Sequence, residues 1–168
     1  SAGGEHCRCR AAACILSAVM AHHSVSRLLP YRCEQLFALV LDIERYPEFV
    51  PGYHRARILR REAEALEVEQ DTGIGPAGFR FRSRAEFVAP QRIVIHACDG
   101  PFRRLEAAWR FEPQEGGCRV TAETLYELPP LLAPLLQGGL ALLAPRLLDA
   151  FARRAAALHG VYAYHPDT

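Results

Sequence analysis

Residues 66–74 read LEVEQDTGI and residues 79–87 read FRFRSRAEF, and in both stretches polar and apolar side chains alternate. Alternation with a period of two is typical of a β-strand, in which successive side chains point to opposite faces of the sheet. Between them, GIGPAG at residues 73–78 supplies the glycine and proline of a turn. The two stretches therefore predict an antiparallel hairpin.

The two faces of this hairpin differ in charge. One face carries every charged side chain of the two stretches, namely Glu67, Glu69, Asp71, Arg80, Arg82, Arg84 and Glu86. An acidic row beside an arginine row allows cross-strand ion pairs on a solvated face. The repeated arginines therefore need no nucleic acid to explain them.

Further strands are expected on both sides of the hairpin. Stretches with the same pattern lie at residues 24–29, 92–97, 105–112 and 118–128. Regular strands joined by short turns predict an antiparallel meander. Its outer face is solvated and its inner face is apolar.

Two helices are expected in addition. Residues 33–44 place Leu36, Phe37, Val40 and Ile43 on one helical face, and that helix is expected to end or restart at Pro47. A second pattern, at residues 131–160, forms an apolar stripe of Leu136, Leu140, Leu143, Leu147, Phe151 and Leu158.

Gly138-Gly139 and Pro145 are expected to interrupt this second helix, since a proline inside a helix removes a hydrogen bond and kinks the axis. The architecture that satisfies all of these patterns is α+β, with a curved antiparallel sheet whose apolar face is covered by the C-terminal helix.

Composition narrows the class of protein. The 168 residues carry a net charge of +1, and all twenty basic residues are arginine, so no global field favours DNA. Six cysteines at irregular spacing do not resemble a secreted disulfide framework, which favours a cytoplasmic location. No apolar run approaches the roughly 20 residues of a membrane span.

The chain is expected to form one domain at residues 24–160, followed by a flexible tail at residues 161–168. Residues 1–23 are interpreted as a disordered leader or an upstream extension ahead of a start at Met20. Two alternatives are a short signal peptide and a metal site at Cys7, Cys9 and Cys14, although the cysteine spacing lacks the pairs typical of zinc sites.

The inward positions of the sheet are not uniformly large. Small and polar side chains stand among the aromatic ones at Gln70, Thr72, Ser83, Ala85, Ala107, Ala122, Thr124 and Tyr126. A filled core favours Leu, Ile and Val, because a buried polar group without a partner costs about 1–3 kcal/mol. The pattern predicts a small-molecule cavity with a few polar groups. The alternative is that these groups bond one another in a dry core.

The sequence YPEFVPGY at residues 46–53 follows the first helix. Pro47 and Pro51 restrict the backbone around Tyr46, Phe49 and Tyr53. These rings are expected either to line the mouth of the cavity or to plug the end of the core.

Three stretches resemble a known family. They are FALVLDIERYPEFVPGY at residues 37–53, GFRFRSRAEFVAPQRIVIHACDGPFRRLEAAWRFEP at residues 78–113 and LLDAFARRAAALHG at residues 147–160. Together they are similar to the coenzyme Q-binding START-like domains, a group that includes the bacterial ribosome-association toxin and proteins labelled polyketide cyclase or dehydrase. Tyr53 stands where many relatives have cysteine, which would narrow the entrance.

The resemblance implies a helix-grip fold, in which a seven-stranded antiparallel sheet wraps around a long C-terminal helix and leaves a hydrophobic tunnel. It also implies non-catalytic binding of ubiquinone or a related polyprenyl lipid in support of respiration, with contact to the inner membrane and no other cofactor. The candidate tunnel residues are Tyr46, Phe49, Tyr53, Gln70, Phe81, Phe87, Phe102, Trp109, Thr124, Tyr126, Leu143, Leu147 and Phe151.

Two other functions stay open. The toxin of the resembled family implies binding to the large ribosomal subunit, and the cluster Arg55, Arg57, Arg60 and Arg61 could contact RNA phosphates or form a solvated strand. The cyclase label implies an enzyme, for which Tyr126 is the candidate proton donor or acceptor. No phosphate-binding loop, nucleophile elbow or metal-ligand set occurs in the sequence.

Overall fold

The structure is a computed structural model that describes residues 19–74 and 77–161. Its elements follow the order β1 (Val19–Leu29), α1 (Cys33–Leu41), a 3-10 helix (Ile43–Glu48), β2 (Tyr53–Arg61), β3 (Ala65–Ile74), β4 (Ala77–Val88), β5 (Arg92–Ala97), β6 (Arg104–Gln114), β7 (Gly117–Leu128) and α2 (Ala133–His159).

The seven strands form one sheet in the order β1-β7-β6-β5-β4-β3-β2, and every neighbouring pair is antiparallel. Strands β2 to β7 form a meander, and β1 pairs with β7, so that β1 and β2 are the two edge strands of the sheet. Both helices pack on the inner face. The predicted α+β helix-grip architecture is confirmed.

The β3–β4 hairpin has the faces that its alternation predicts. Leu66, Val68 and Gln70 are buried on the inner face. On the outer face, Arg80 donates to Asp71 at 2.7 Å and Arg84 lies 3.5 Å from Glu67. Two solvated charge rows and one apolar row therefore fix which side of the hairpin meets the core.

Arg82 makes a contact beyond the hairpin. Its guanidinium lies 2.9 Å from the carboxylate of Asp99, which follows β5, and Asp99 also accepts from the Arg82 backbone N–H at 2.6 Å. The side chain thus links β4 to the residues that follow β5.

The first helix ends earlier than predicted. The α-helix stops at Leu41, and a 3-10 helix then runs through Pro47 to Glu48. The expected end or restart therefore occurs at Asp42 and not at Pro47, which lies inside the 3-10 helix. A short 3-10 turn accommodates the proline, since few of its N–H groups have a partner within the turn. The predicted buried face, from Leu36 to Ile43, is confirmed.

The second helix is continuous from Ala133 to His159, so the predicted interruption is wrong. Gly138, Gly139 and Pro145 all lie inside it. A proline removes one backbone hydrogen bond, and the packing of the turns on both sides keeps the helix intact. By length and composition this helix would also suffice to cross a bilayer, which the sequence analysis did not predict.

The face of α2 that meets the core differs partly from the predicted stripe. Leu136, Leu148, Phe151 and Ala155 are almost completely buried. Leu158 was expected to share this face but is 55% exposed, because it lies in the last turn, beyond the last buried residue. The deeply buried residues identify α2 as the core helix of the domain.

The folded domain begins before the predicted residue 24. β1 starts at Val19, and its first residues pair with the end of β7, from Val19 opposite Leu128 to His23 opposite Thr124. Five residues of the expected leader therefore belong to the sheet. The remaining leader, the cysteines of the alternative metal site and all but the first residue of the expected tail lie outside the described residues.

A disulfide links the first residue of α1 to β7, between Cys33 and Cys118, whose Cα atoms are 5.3 Å apart. Both residues are buried. This bond was not expected for a chain assigned to a reducing compartment. The two cysteines are 85 positions apart, and only the fold brings them together.

The start of β7 requires glycine. Gly117 has φ +150°, and a Cβ atom there would lie 1.9 Å from the carbonyl oxygen of Leu29. No side chain fits so close to the backbone. The neighbouring Gly116 has φ +87° but open space around it.

Candidate ligand-binding site

The inner face of the sheet carries two separate apolar clusters. The first, which we call the closed core, is built around Phe37, Trp109 and Phe151 between α1, the sheet and the second half of α2. The other, which we call the second cluster, contains Tyr126, Leu128, Ala133 and Leu136, with the partly buried Ala21, Phe79, Phe102, Leu105, Leu132, Leu140 and Leu143 packed against it.

Aromatic rings seal the end of the closed core beside the 3-10 helix. Tyr46 makes edge-to-face contacts with Phe49, Tyr53 and Phe151 at centroid distances of 5.9, 5.2 and 5.3 Å. The Tyr46 hydroxyl donates to the backbone oxygen of Val40. Of the two interpretations of YPEFVPGY, the packing matches a plug of the core end.

Burial of this plug affects two hydroxyl groups. The pKa of Tyr46 is raised well above its ordinary value, first by burial and then by the neighbouring Tyr53. Burial also raises the pKa of Tyr53 to about 12. Both hydroxyls therefore stay protonated at neutral pH.

A cation covers the outer side of the same plug. The guanidinium of Arg154 lies 5.1 Å above the Phe49 ring and 2.7 Å from the carboxylate of Glu48. Arg45 lies 2.8 Å from the other oxygen of Glu48. These contacts, first the hydrogen bond from Arg45, lower the pKa of Glu48.

The closed core itself leaves little space. Trp109 meets Phe151 at 5.1 Å, and a cavity of about 10 Å³ lies beside them among Leu36, Val40 and Leu148. That volume holds about one water molecule. Phe87 packs edge-to-face on Phe37 at 6.0 Å. A lipid chain does not fit here without movement of these side chains.

Farther along the inner face, the packing loosens. Ile95, Ala107 and Thr124 lie side by side on β5, β6 and β7, point towards the core and are only half-buried. Leu143 and Leu147 of α2 are also half-buried. We call the part of the inner face formed by these five residues the hollow; two of them, Ile95 and Leu147, also pack against the closed core.

The contrast with the neighbouring inward positions supports this interpretation. Ile93 and Trp109, two residues along the same strands, are almost completely buried. Inward residues that α2 covered directly would be buried to the same degree. The residual exposure of Ala107 and Thr124 therefore shows that α2 does not cover these two positions completely.

Two polar pairs lie on the inner face. The Nε2 atom of His23 lies 3.2 Å from the hydroxyl of Tyr126, and the two rings stack at 5.7 Å. The Gln70 amide donates to the Ser83 hydroxyl at 2.8 Å, and both of these side chains are buried. These polar groups thus bond one another, as the dry-core alternative expected.

The predicted tunnel residues fall into two groups. In or against the closed core lie Tyr46, Phe49, Tyr53, Phe87, Trp109 and Phe151. Towards the hollow and the second cluster lie Gln70, Phe81, Phe102, Thr124, Tyr126 and Leu143, and Leu147 belongs to the hollow while it also packs against the closed core. In the second group, Phe81 and Phe102 meet edge-to-face at 6.0 Å.

His23 was not among the predicted site residues, because residues 1–23 were interpreted as a leader. The signal was present, since Ala21, His23 and Val25 alternate in the same sense as the rest of β1. Phe79, Leu105 and Leu140 pack around the second cluster and were also absent from the candidates. The inward parity of Phe79 and Leu105 on their strands, and the place of Leu140 in the apolar stripe of α2, could have identified them.

The β2 arginines are partly paired on the outer face. Arg57 lies 3.8 Å from Glu69 and Arg60 lies 3.3 Å from Glu62. Arg55 and Arg61 are exposed and make no ion pair within residues 19–74 and 77–161. The cluster is thus a solvated strand with two available cations.

Comparison with known proteins places the chain in a family. The model of the family described as polyketide cyclase/dehydrase and lipid transport matches residues 29–152. The ribosome association toxin RatA of Pseudomonas aeruginosa is 32% identical over 141 residues, which cover 83% of this chain and 98% of that protein.

Two further relatives differ in how much they share. The mitochondrial coenzyme Q-binding protein COQ10 homolog B of Xenopus laevis is 30% identical over 63% of this chain but only 44% of its own length. A crystal structure of a Thermus thermophilus protein has a TM-score of 0.72 at 22% identity, over 82% of this chain and 99% of that one. The chain belongs to the polyketide cyclase/dehydrase and lipid transport family.

Proposed function

We propose that the chain binds ubiquinone or a related polyprenyl lipid in the hollow and carries it without chemical change. The half-exposed inward face around Ala107 and Thr124 is the observation that carries this proposal. Each Å² of apolar surface removed from water contributes about 25 cal/mol of favourable free energy, so burial of a long isoprenoid tail between sheet and helix would favour binding strongly.

Two comparisons support a lipid ligand. The family description includes lipid transport. One relative is named a coenzyme Q-binding protein, although this chain matches less than half of its length.

A carrier of this kind would meet a membrane to load and release its cargo. Leu131, just before α2, and Leu135 and Leu142, in its first half, are exposed, and no charged residue occurs between Glu127 and Arg146. We propose a cytoplasmic protein that touches the inner membrane with this part of the chain.

The experiment combines extraction with a filled hollow. Mass spectrometry of an organic extract from protein purified from its native host is expected to show a quinone, and titration with decylubiquinone is expected to show binding. Ala107→Phe places a ring in the hollow and should weaken binding at least tenfold. Ala108→Phe, on the same strand but the opposite face, is the matched control.

The two variants separate different failures. Absence of quinone in the extract together with no binding on titration would refute lipid carriage. Unchanged quinone binding by Ala107→Phe would show that the ligand binds somewhere other than the hollow.

A second candidate is binding to the large ribosomal subunit with a block of subunit joining. It is favoured by the toxin relative, which this chain matches over 98% of that relative's length, and by the available cations Arg55 and Arg61. Phosphate contacts weaken steeply with salt. Cosedimentation with large subunits should therefore decline between about 50 and 200 mM salt.

The charge-reversing double variant Arg55→Glu, Arg61→Glu tests this candidate. Its cosedimentation should fall at least tenfold, while Arg92→Glu, an exposed arginine of β5, should behave as the parent protein does. Equal sedimentation of all three proteins would exclude a role for β2.

A cyclase-like enzyme is a third candidate, because the family description includes cyclases. Acid–base chemistry needs a proton donor or acceptor beside the substrate. Tyr126, in contact with His23, supplies such a pair. If the protein turns over a polyketide and Tyr126→Phe abolishes this activity, the result would support this candidate. Unchanged turnover in Tyr126→Phe would show that Tyr126 has no catalytic role.

A further inference from the structure

The contact between His23 and Tyr126 joins two groups that can each donate or accept a hydrogen bond. A neutral imidazole carries one N–H and one free nitrogen lone pair, and a phenol both donates through its O–H and accepts through its oxygen. At 3.2 Å between Nε2 and the hydroxyl, the bond can run in either direction. The histidine tautomer decides which of the two groups is the donor.

The pair stands on the inner face beside the hollow. His23 is the cross-strand neighbour of Thr124, which borders the hollow, and Tyr126 is the next inward residue of β7. The Tyr126 ring is buried in the second cluster, whereas His23 is half-buried. Burial raises the pKa of the Tyr126 hydroxyl, which therefore stays protonated.

The other polar pair is less accessible. The Gln70 amide nitrogen donates one of its two N–H groups to the Ser83 hydroxyl. Gln70 and Ser83 are 4% and 2% exposed, whereas His23 is half-buried. A ligand in the hollow therefore meets the His23–Tyr126 pair more readily than the Gln70–Ser83 pair.

We infer that the His23–Tyr126 pair anchors the ring oxygen of a quinone in both of its redox states by reversing its own hydrogen bond. This inference rests on the proposed function. A quinone oxygen is a carbonyl that only accepts, whereas the corresponding quinol oxygen is a hydroxyl that accepts and also donates, so only the quinol needs an acceptor for an O–H of its own.

The two states use the pair in opposite directions. With a quinone, the Tyr126 O–H donates to the carbonyl, and the Tyr126 oxygen accepts from the N–H at Nε2 of His23. With a quinol, the ligand hydroxyl donates to the Tyr126 oxygen, and the Tyr126 O–H turns to a free Nε2. The imidazole changes tautomer between them, and its half-buried position allows proton exchange with water.

The consequence is a carrier with little preference for either redox state. Without His23, the quinol and Tyr126 have two O–H groups but form only one hydrogen bond between them, so either the ligand O–H or the buried Tyr126 O–H is left with no acceptor. An orphaned buried donor is costly and rare in proteins. Removal of the imidazole should therefore penalise the quinol more than the quinone.

The test is anaerobic calorimetric titration with decylubiquinone and, separately, with its pre-reduced quinol. The dissociation constants for the two forms should agree within about threefold in the parent protein. In His23→Phe the ratio of quinol to quinone dissociation constant should rise about tenfold, as expected for the removal of one hydrogen bond. His23→Gln keeps a donor and an acceptor and should restore the parent ratio.

Ser26→Ala is the matched control. Ser26 contacts Thr121 at 3.2 Å between the same two strands but on the outer face, and its loss should leave both constants unchanged. A ratio that stays within threefold in His23→Phe while both ligands still bind would overturn the anchor and leave lipid carriage standing. Failure of the parent protein to bind either form would overturn the proposed function itself.

Folding of each variant is checked by circular dichroism. Should His23→Phe not fold, Tyr126→Phe decides, because it keeps the ring and removes only the hydroxyl. It should weaken binding of both ligand forms about tenfold. Parent-like binding of both forms by Tyr126→Phe would equally overturn the anchor.

Discussion

Replacement of Phe151 by alanine tests the packing that links α2 to the sheet and the 3-10 helix. Phe151 is 2% exposed and makes edge-to-face contacts with Tyr46, Phe49 and Trp109 at 5.3, 5.1 and 5.1 Å. A buried Phe→Ala change typically costs about 3–5 kcal/mol. Each aromatic contact adds about 0.5–1.5 kcal/mol to the effect of area alone.

Because this one substitution removes three aromatic ring pairs, the upper part of the range applies, and we expect a decrease of about 4–5 kcal/mol in the free energy of unfolding. The assay is urea denaturation followed by far-ultraviolet circular dichroism, with the slope compared to that of the parent protein.

Leu142→Ala is the control, since Leu142 belongs to the same helix but is 58% exposed. Its effect should stay within about 0.5 kcal/mol. A decrease below about 2 kcal/mol in Phe151→Ala with an unchanged slope would show that the aromatic contacts do not hold α2 in place, and would refute the description of the closed core.

Two further predictions concern single positions. Gly117→Ala should destabilise the protein by well over 1 kcal/mol, since the new Cβ atom would clash with the Leu29 carbonyl oxygen. Gly116→Ala is the control: its Cβ atom has open space, so only the strain of a positive φ remains, which should cost about 1 kcal/mol. Equal losses of stability in thermal denaturation would contradict this prediction. The pKa of Glu48 is lower in the folded state than its ordinary 4.5, so its stabilising effect is complete above pH 4.5 and is lost as the pH falls through the folded value. Glu48→Gln should therefore flatten the acid side of the stability profile in urea titrations from pH 6 to pH 3, and identical profiles would remove Glu48 from the acid response.

The sheet could be predicted because strand parity is a local property. Leu66, Val68 and Ser83 face inward in the structure as their alternation requires. The inward small and polar residues also pointed to the region around Ala107 and Thr124, since side-chain size and polarity are written in the sequence.

Contacts between distant segments could not be predicted in the same way. The Cys33–Cys118 disulfide and the Arg154–Glu48 ion pair join positions 85 and 106 residues apart. The continuity of α2 through Pro145 depends on packing that local propensity does not record. The position of His23 in the sheet was not predicted, because pairing with β7, and not local composition, makes residues 19–23 a strand.

The hydrogen bond between Gln70 and Ser83 bears on how the chain avoids a misaligned sheet. A slip of one residue between β3 and β4 would turn the arginines inward and is excluded at once. A slip of two residues would still leave two of the three acidic side chains of β3 opposite an arginine, because both charge rows repeat with the same period. Such a shift would also separate the buried amide from its hydroxyl, so this one pair adds to the register specificity that the charged rows provide only in part.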